Sequence, residues 1–139
     1  MDQNSKRILI VEDDYTLRKL LVEILGTTGY QVVEADNGLN AMLYCRNELL
    51  PIDLIISDYL MPIMNGEQFI KELRLINRDI PVILFTASRI GKDTVKSWGV
   101  SYLLEKPCDL NEITTCVDMA LNSIRIPDPH KIYNPRKMI

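Results

Sequence analysis

Apolar positions along the chain fall into two patterns that alternate with each other. Short runs rich in Ile, Val and Leu occupy residues 8–11, 31–35, 54–57, 82–86 and 101–104. In three of these stretches, 8–11, 54–56 and 82–85, every position is apolar. Successive strand residues point to opposite faces, so such runs predict strands covered on both sides, as in a parallel sheet. Between them, apolar residues recur at helical spacing. Residues 16–25 align Leu17, Leu20, Leu21, Ile24 and Leu25 on one stripe, broken by Gly26 and Gly29. Residues 39–47 offer Ala41, Met42 and Cys45, and residues 67–76 offer Phe69, Ile70, Leu73 and Ile76. Residues 93–98 form a short, weakly amphipathic helix. Residues 110–124 align Ile113, Val117, Ala120, Leu121 and Ile124 behind Asp109, the expected N-cap.

Five strands alternating with five helices predict an α/β domain with right-handed crossovers. The expected form is flavodoxin-like: a doubly wound, five-stranded parallel sheet in the order 2-1-3-4-5 with five flanking helices. In such a sheet the functional site lies outside the carboxyl ends of the strands. The pattern stops at Pro127, which divides the chain into a domain at 1–126 and a C-terminal extension at 127–139, expected to be poorly ordered. Lys131, Arg136 and Lys137, interleaved with Ile132 and Tyr133, give that extension a second reading as a docking segment.

Composition narrows the class. The chain has 139 residues, 47% hydrophobic and 25% charged, enough for one domain with its own core. A net charge of -3 gives no global attraction to nucleic acid or an anionic membrane, and no apolar run is long enough to insert in a bilayer. The polar start MDQNSK lacks a secretory signal and favours a stand-alone protein over a domain cut from a longer one. Cys45, Cys108 and Cys116 are odd in number and match no zinc spacing. Cys116 lies on an apolar helical stripe and reads as a packed thiol, so a reduced, cytoplasmic location is expected.

The strand ends carry the chemistry. The first ends in Glu12-Asp13-Asp14, the third in Ser57-Asp58, the fourth in Thr86-Ala87-Ser88 and the fifth in Glu105-Lys106-Pro107; the second ends in Asp36-Asn37-Gly38, a plain turn. Taken singly, an Asp pair is often a helix cap, Asp58 a loop acid, Thr86 a strand residue and Lys106 a solvated amine. Together, at successive strand ends, they make one site. Clustered carboxylates without His or paired Cys form a hard oxygen site suited to Mg²⁺. Lys106 would pair a phosphate oxygen and Thr86 would donate to another. An aspartate set beside a metal, an ammonium and a hydroxyl is arranged to attack phosphorus and become an aspartyl-phosphate.

With these residues in place, the chain resembles a response-regulator receiver domain. The matching stretches are ILIVEDD, DLIISDYLMPIMNGEQFI, IPVILFTA and GVSYLLEKP, and the likeness runs from about Lys6 to Ile124. The resemblance implies that Asp58 is the phosphoacceptor. It makes Asp13 a direct Mg²⁺ ligand, Glu12 a ligand through water, and the Leu60 backbone carbonyl a further ligand. Asp14 falls outside the acidic pair and caps the following helix. Thr86 becomes the switch hydroxyl and Lys106 the phosphate-pairing lysine, with a cis bond to Pro107. Pro62 and Gly66 belong to the loop at the rim of the site. One departure stands out: Leu103 occupies the place where the family usually carries an aromatic switch residue, and neighbouring Tyr102 points to the other face. Readout is therefore expected through movement of residues 88–98, with Arg89 and Trp98 as candidates for that surface, or with little movement at all.

The function so implied is a signalling switch, not a metabolic enzyme. It would receive its phosphoryl group from a histidine kinase or a histidine phosphotransfer domain and act on a downstream protein, a phosphorylation-dependent dimer being one option. Self-catalysed phosphorylation and slow self-dephosphorylation come with the site. The alternative is a Mg²⁺-dependent phosphohydrolase with an aspartyl-phosphate intermediate. Such enzymes want a second acid two residues after the nucleophile, where this chain has Leu60. A flavin or nucleotide binder would want a Gly-rich cradle after the first strand, where three acids stand.

Overall fold

A computed structural model describes residues 5–122 and 132–134. In chain order the elements are β1 (Arg7–Val11), α1 (Tyr15–Thr27), β2 (Gln31–Ala35), α2 (Gly38–Cys45), β3 (Leu54–Ser57), α3 (Gly66–Ile76), β4 (Val82–Thr86), α4 (Lys92–Ser97), β5 (Tyr102–Glu105) and α5 (Leu110–Asn122). All four strand pairings are parallel and the sheet order is β2-β1-β3-β4-β5, as the alternating pattern predicts. The continuous apolar runs are the inner strands, and every residue of β3 and β4 is buried.

Alternation along each strand divides the core in two. Leu9, Val11, Ile55 and Leu84 face α2, α3 and α4, meeting Met42, Phe69, Ile70 and Val95. Ile8, Ile10, Ile56 and Ile83 face α1 and α5, meeting Leu21, Leu25, Ile113 and Val117. Each fully buried Leu, Ile or Phe stabilises the fold by roughly 1.5–3 kcal/mol relative to exposure. Helix starts are fixed by side-chain caps. Asp14 accepts from the Leu17 N–H, Asn37 from Asn40, and Asn65 shares a reciprocal capping box with Gln68. Asp109 caps α5 as expected, exchanging hydrogen bonds with Glu112.

Several details differ from the sequence pattern. Leu20 and Ile76 sit at the margins of their stripes, turned furthest from the sheet, and are 50% and 52% exposed. Cys116 is fully buried as anticipated, and none of the three cysteines is disulfide-bonded. Of the extension, residues 132–134 are described. Ile132 and Asn134 are buried, and Tyr133 forms a parallel bridge with Tyr102. These three residues are not loose: β5 is the outer strand of the sheet, and they satisfy backbone groups on its open side. The rest of 127–139, including Lys131, Arg136 and Lys137, lies outside the described residues, as does Ile124.

Candidate functional site

The parallel register pairs Val11 with Ser57, so the residues that follow each strand, Glu12 and Asp58, emerge side by side. Backbone bonds hold both in place. Asp58 N–H donates to the Val11 carbonyl at 3.0 Å, and Glu12 N–H donates to the Ala35 carbonyl at 3.0 Å. Arg18, one turn into α1, donates from Nη1 to the Glu12 carbonyl at 2.8 Å while its Nε pairs with Glu34 at 3.0 Å. Lys106 reaches the same place from β5, its own N–H donating to the Thr86 carbonyl at 3.0 Å.

The side chains then converge. Lys106 Nζ donates to Glu12 Oε1 at 2.7 Å and to Asp58 Oδ2 at 2.8 Å. The other Asp58 oxygen accepts from the Tyr59 N–H at 2.6 Å, and Glu12 Oε2 accepts from Asp14 N–H at 3.2 Å. Ligand atoms of Glu12, Asp13 and Asp58 all lie within 4.8 Å of one another. Glu12 and Asp58 are 2% and 8% exposed, whereas Asp13 faces solvent. Burial pushes the Glu12 carboxyl above its usual range; the nearby charge of Asp58 adds to this, and Lys106 only partly offsets it. Burial by itself would lower the Lys106 ammonium, but its hydrogen bonds to Asp58 and Glu12 outweigh that and leave it raised. Three carboxylates face one ammonium, so the site is short of positive charge. All the donors are hard oxygens and one acid is open to solvent, which fits a small divalent cation that keeps part of its water shell.

The remaining expected residues lie in different surroundings. Thr86 is buried at the end of β4 and its hydroxyl oxygen accepts from the Ser88 N–H at 3.0 Å. The Lys106–Pro107 peptide is cis. The Leu60 side chain is 62% exposed. Leu103 and Tyr102 are not among the acids and lie on opposite faces of β5: Leu103 joins the α2–α4 side of the core and Tyr102 the α1–α5 side. Beside Leu103 a cleft of about 470 Å³ is lined by Ser88, Arg89, Ile90, Gly91, Lys92 and Glu105.

The rim loop explains Gly66. Its N–H donates to the Tyr59 carbonyl at 2.7 Å, and a Cβ there would fall 2.3 Å from the Asp58 carbonyl oxygen. In the same loop Ile63 has a φ of 70°, with Met64 N–H donating to the Pro62 carbonyl at 2.7 Å around it. A β-branched residue in that region stores strain. Sequence reasoning missed Ile63, since only the surrounding Pro62 and Asn65-Gly66 signal a turn. It also missed Arg18 and Tyr59. The Tyr59 ring stacks on Trp98 with centroids 5.8 Å apart and planes 11° from parallel, linking the residue after Asp58 to the end of α4.

Comparison with known proteins agrees with this geometry. The response regulator receiver domain family matches residues 8–118, and the chain belongs to it. It is a receiver domain of the two-component response regulators, a class that acts as signalling switches. The chain is 37% identical over 120 residues to the probable transcriptional regulator ycf29 of Pyropia yezoensis, covering 82% of this chain and 52% of that protein. It is 36% identical over 117 residues to the sporulation initiation phosphotransferase F of Bacillus subtilis, covering 81% of this chain and 91% of that one. The chain thus spans about half the length of the first relative and nearly all of the second. Among solved structures, the signal receiver domain of a histidine kinase from Syntrophus aciditrophicus superposes with a TM-score of 0.76 at 36% identity, covering 89% of this chain and 96% of that one. The chemotaxis response regulator CheY4 of Vibrio cholerae gives 0.79 at 26% identity, covering 85% and 100%. No helix among the described residues is long and apolar enough to cross a membrane.

Proposed function

We propose that Asp58 accepts a phosphoryl group from a phosphohistidine of a kinase or a phosphotransfer domain, and that the modified protein changes its affinity for a downstream protein. The observation that carries this reading is Lys106 bridging Glu12 and Asp58 at 2.7 and 2.8 Å with Asp13 alongside. A carboxylate oxygen of Asp58 attacks phosphorus in line, the new P–O bond forms as the donor's P–N bond breaks, and the electron pair leaves with the imidazole. Lys106 is already at Asp58 and needs only to turn to pair a phosphoryl oxygen. The Thr86 hydroxyl oxygen accepts from the Ser88 N–H, and its own O–H can donate to another phosphoryl oxygen. Asp13 and Asp58, the Leu60 backbone carbonyl, and Glu12 through water would hold Mg²⁺. The ion, when bound, neutralises charge on the transferring group.

Incubation with Mg²⁺ and a small phosphodonor is expected to add one phosphoryl group by intact mass, and Asp58→Asn to abolish the addition. An unmodified wild-type chain under conditions where a control receiver is phosphorylated would contradict the assignment. The phosphohydrolase alternative finds no support, since the apolar Leu60 side chain stands where that chemistry needs an acid. With Leu103 at the usual aromatic position, output is assigned to the Tyr59–Trp98 stack and the 88–98 segment beside it.

A further inference from the structure

Among the described residues, β5 has β4 on one side and only a three-residue segment on the other. On that outer side Tyr133 N–H donates to the Ser101 carbonyl at 2.7 Å, and Leu103 N–H donates to the Tyr133 carbonyl at 2.8 Å. Side chains extend the match. The Tyr133 ring meets Tyr102 at 6.0 Å between centroids, and Asn134 Nδ2 donates to Glu105 Oε1 at 3.0 Å. Ile132 enters the core on the opposite face from Tyr133, as strand alternation requires. This is strand addition: backbone bonds supply attraction and alternate side chains supply selectivity.

We propose that the outer edge of β5 is a strand-docking surface whose occupant is the Ile132–Asn134 segment of this chain, exchangeable between copies. Among the described residues the docked segment is held by backbone bonds at Ser101 and Leu103 and by side chains of Ile132, Tyr133 and Asn134, set against the entropy of ordering it, so a second segment of the same sequence can compete for the place. The nine residues between Asn122 and Ile132 tether the segment near the edge, and an intramolecular ligand excludes a free one through its effective concentration. A second copy's segment competes for the same place, which is the geometry of a segment swap.

The test uses the full chain and a fluorescent peptide of residues 129–137 as a stand-in for the second copy's segment. Tyr133→Pro removes the N–H that bonds Ser101 and cannot continue the pairing. The peptide is expected to bind the Tyr133→Pro chain saturably, and the wild-type chain roughly tenfold or more weakly, because the wild-type edge is occupied. Amide exchange at Leu103 is expected to accelerate in the variant. Tyr133→Ala, which keeps the N–H and removes the ring, is expected to give an intermediate result, so the outcome does not rest on the proline variant alone. Equal binding to all three chains, binding to none, equal binding of a peptide with Pro in place of Tyr133, or unchanged exchange at Leu103 would each overturn the proposal.

Discussion

Glu12 shows how a single residue ties the fold to the chemistry. Its carboxyl is raised by burial and by the neighbouring Asp58 charge, so the folded chain holds this proton more tightly than the unfolded chain does. Ionising Glu12 therefore costs stability, and the cost sets in as pH rises from the ordinary carboxylate range through the raised value. A divalent cation held at the acidic cluster would favour the ionised form and offset that cost. Lys106 works the other way: its raised ammonium contributes stability that is present below the ordinary lysine value and lost only as pH climbs through the raised one. Thermal melts with and without Mg²⁺ should accordingly show a rise in Tm at about pH 7 that disappears toward about pH 4. A Mg²⁺ effect independent of pH over that range would place the cation elsewhere.

At the scale of elements, the loop between β3 and α3 presents Asp58 and carries strain while doing so. Gly66 permits the close approach that brings α3 against the Asp58 backbone, and Ile63 sits at a φ of 70°. Gly66→Ala would drive a methyl group into the backbone of Asp58 and Tyr59. It should lower stability by about 2 kcal/mol in denaturant unfolding and slow phosphorylation. Unaltered stability would mean that the loop has room the geometry does not show. The same loop meets the end of α4 through Tyr59, stacked on Trp98. Trp98 is the sole tryptophan, so its emission reports on this contact directly. Phosphorylation should change Trp98 fluorescence in the wild-type chain, and Tyr59→Leu should largely remove that change while leaving phosphoryl uptake intact. A change of full size in Tyr59→Leu would separate the stack from the readout.

For the whole molecule, the sheet and its order were legible because buried parallel strands write continuous apolar runs, and five alternations leave few topologies. The acids, the hydroxyl and the lysine were legible because parallel strands bring their carboxyl ends together, so residues far apart in sequence can be placed side by side. What escaped had no such period. Leu20 and Ile76 follow the helical spacing, yet at the edge of their stripes they stay half-exposed. Tyr59 and Trp98 meet only through tertiary packing, and Ile63 takes a conformation its side chain disfavours. Ile132–Asn134 is a strand-like segment of three residues, too short to show alternation, and its role comes from the open side of β5. Leu103 and Tyr102, by contrast, point where strand geometry said they would.

The proposed switch depends on Asp58 being the residue that takes up phosphorus. Phosphorus NMR of the chain after treatment with a small phosphodonor and Mg²⁺ tests that most directly. One protein-bound resonance is expected, absent in Asp58→Asn and failing to form when the cation is chelated. A resonance that persists in Asp58→Asn, or forms equally well without the cation, would contradict the assignment of Asp58 and its metal.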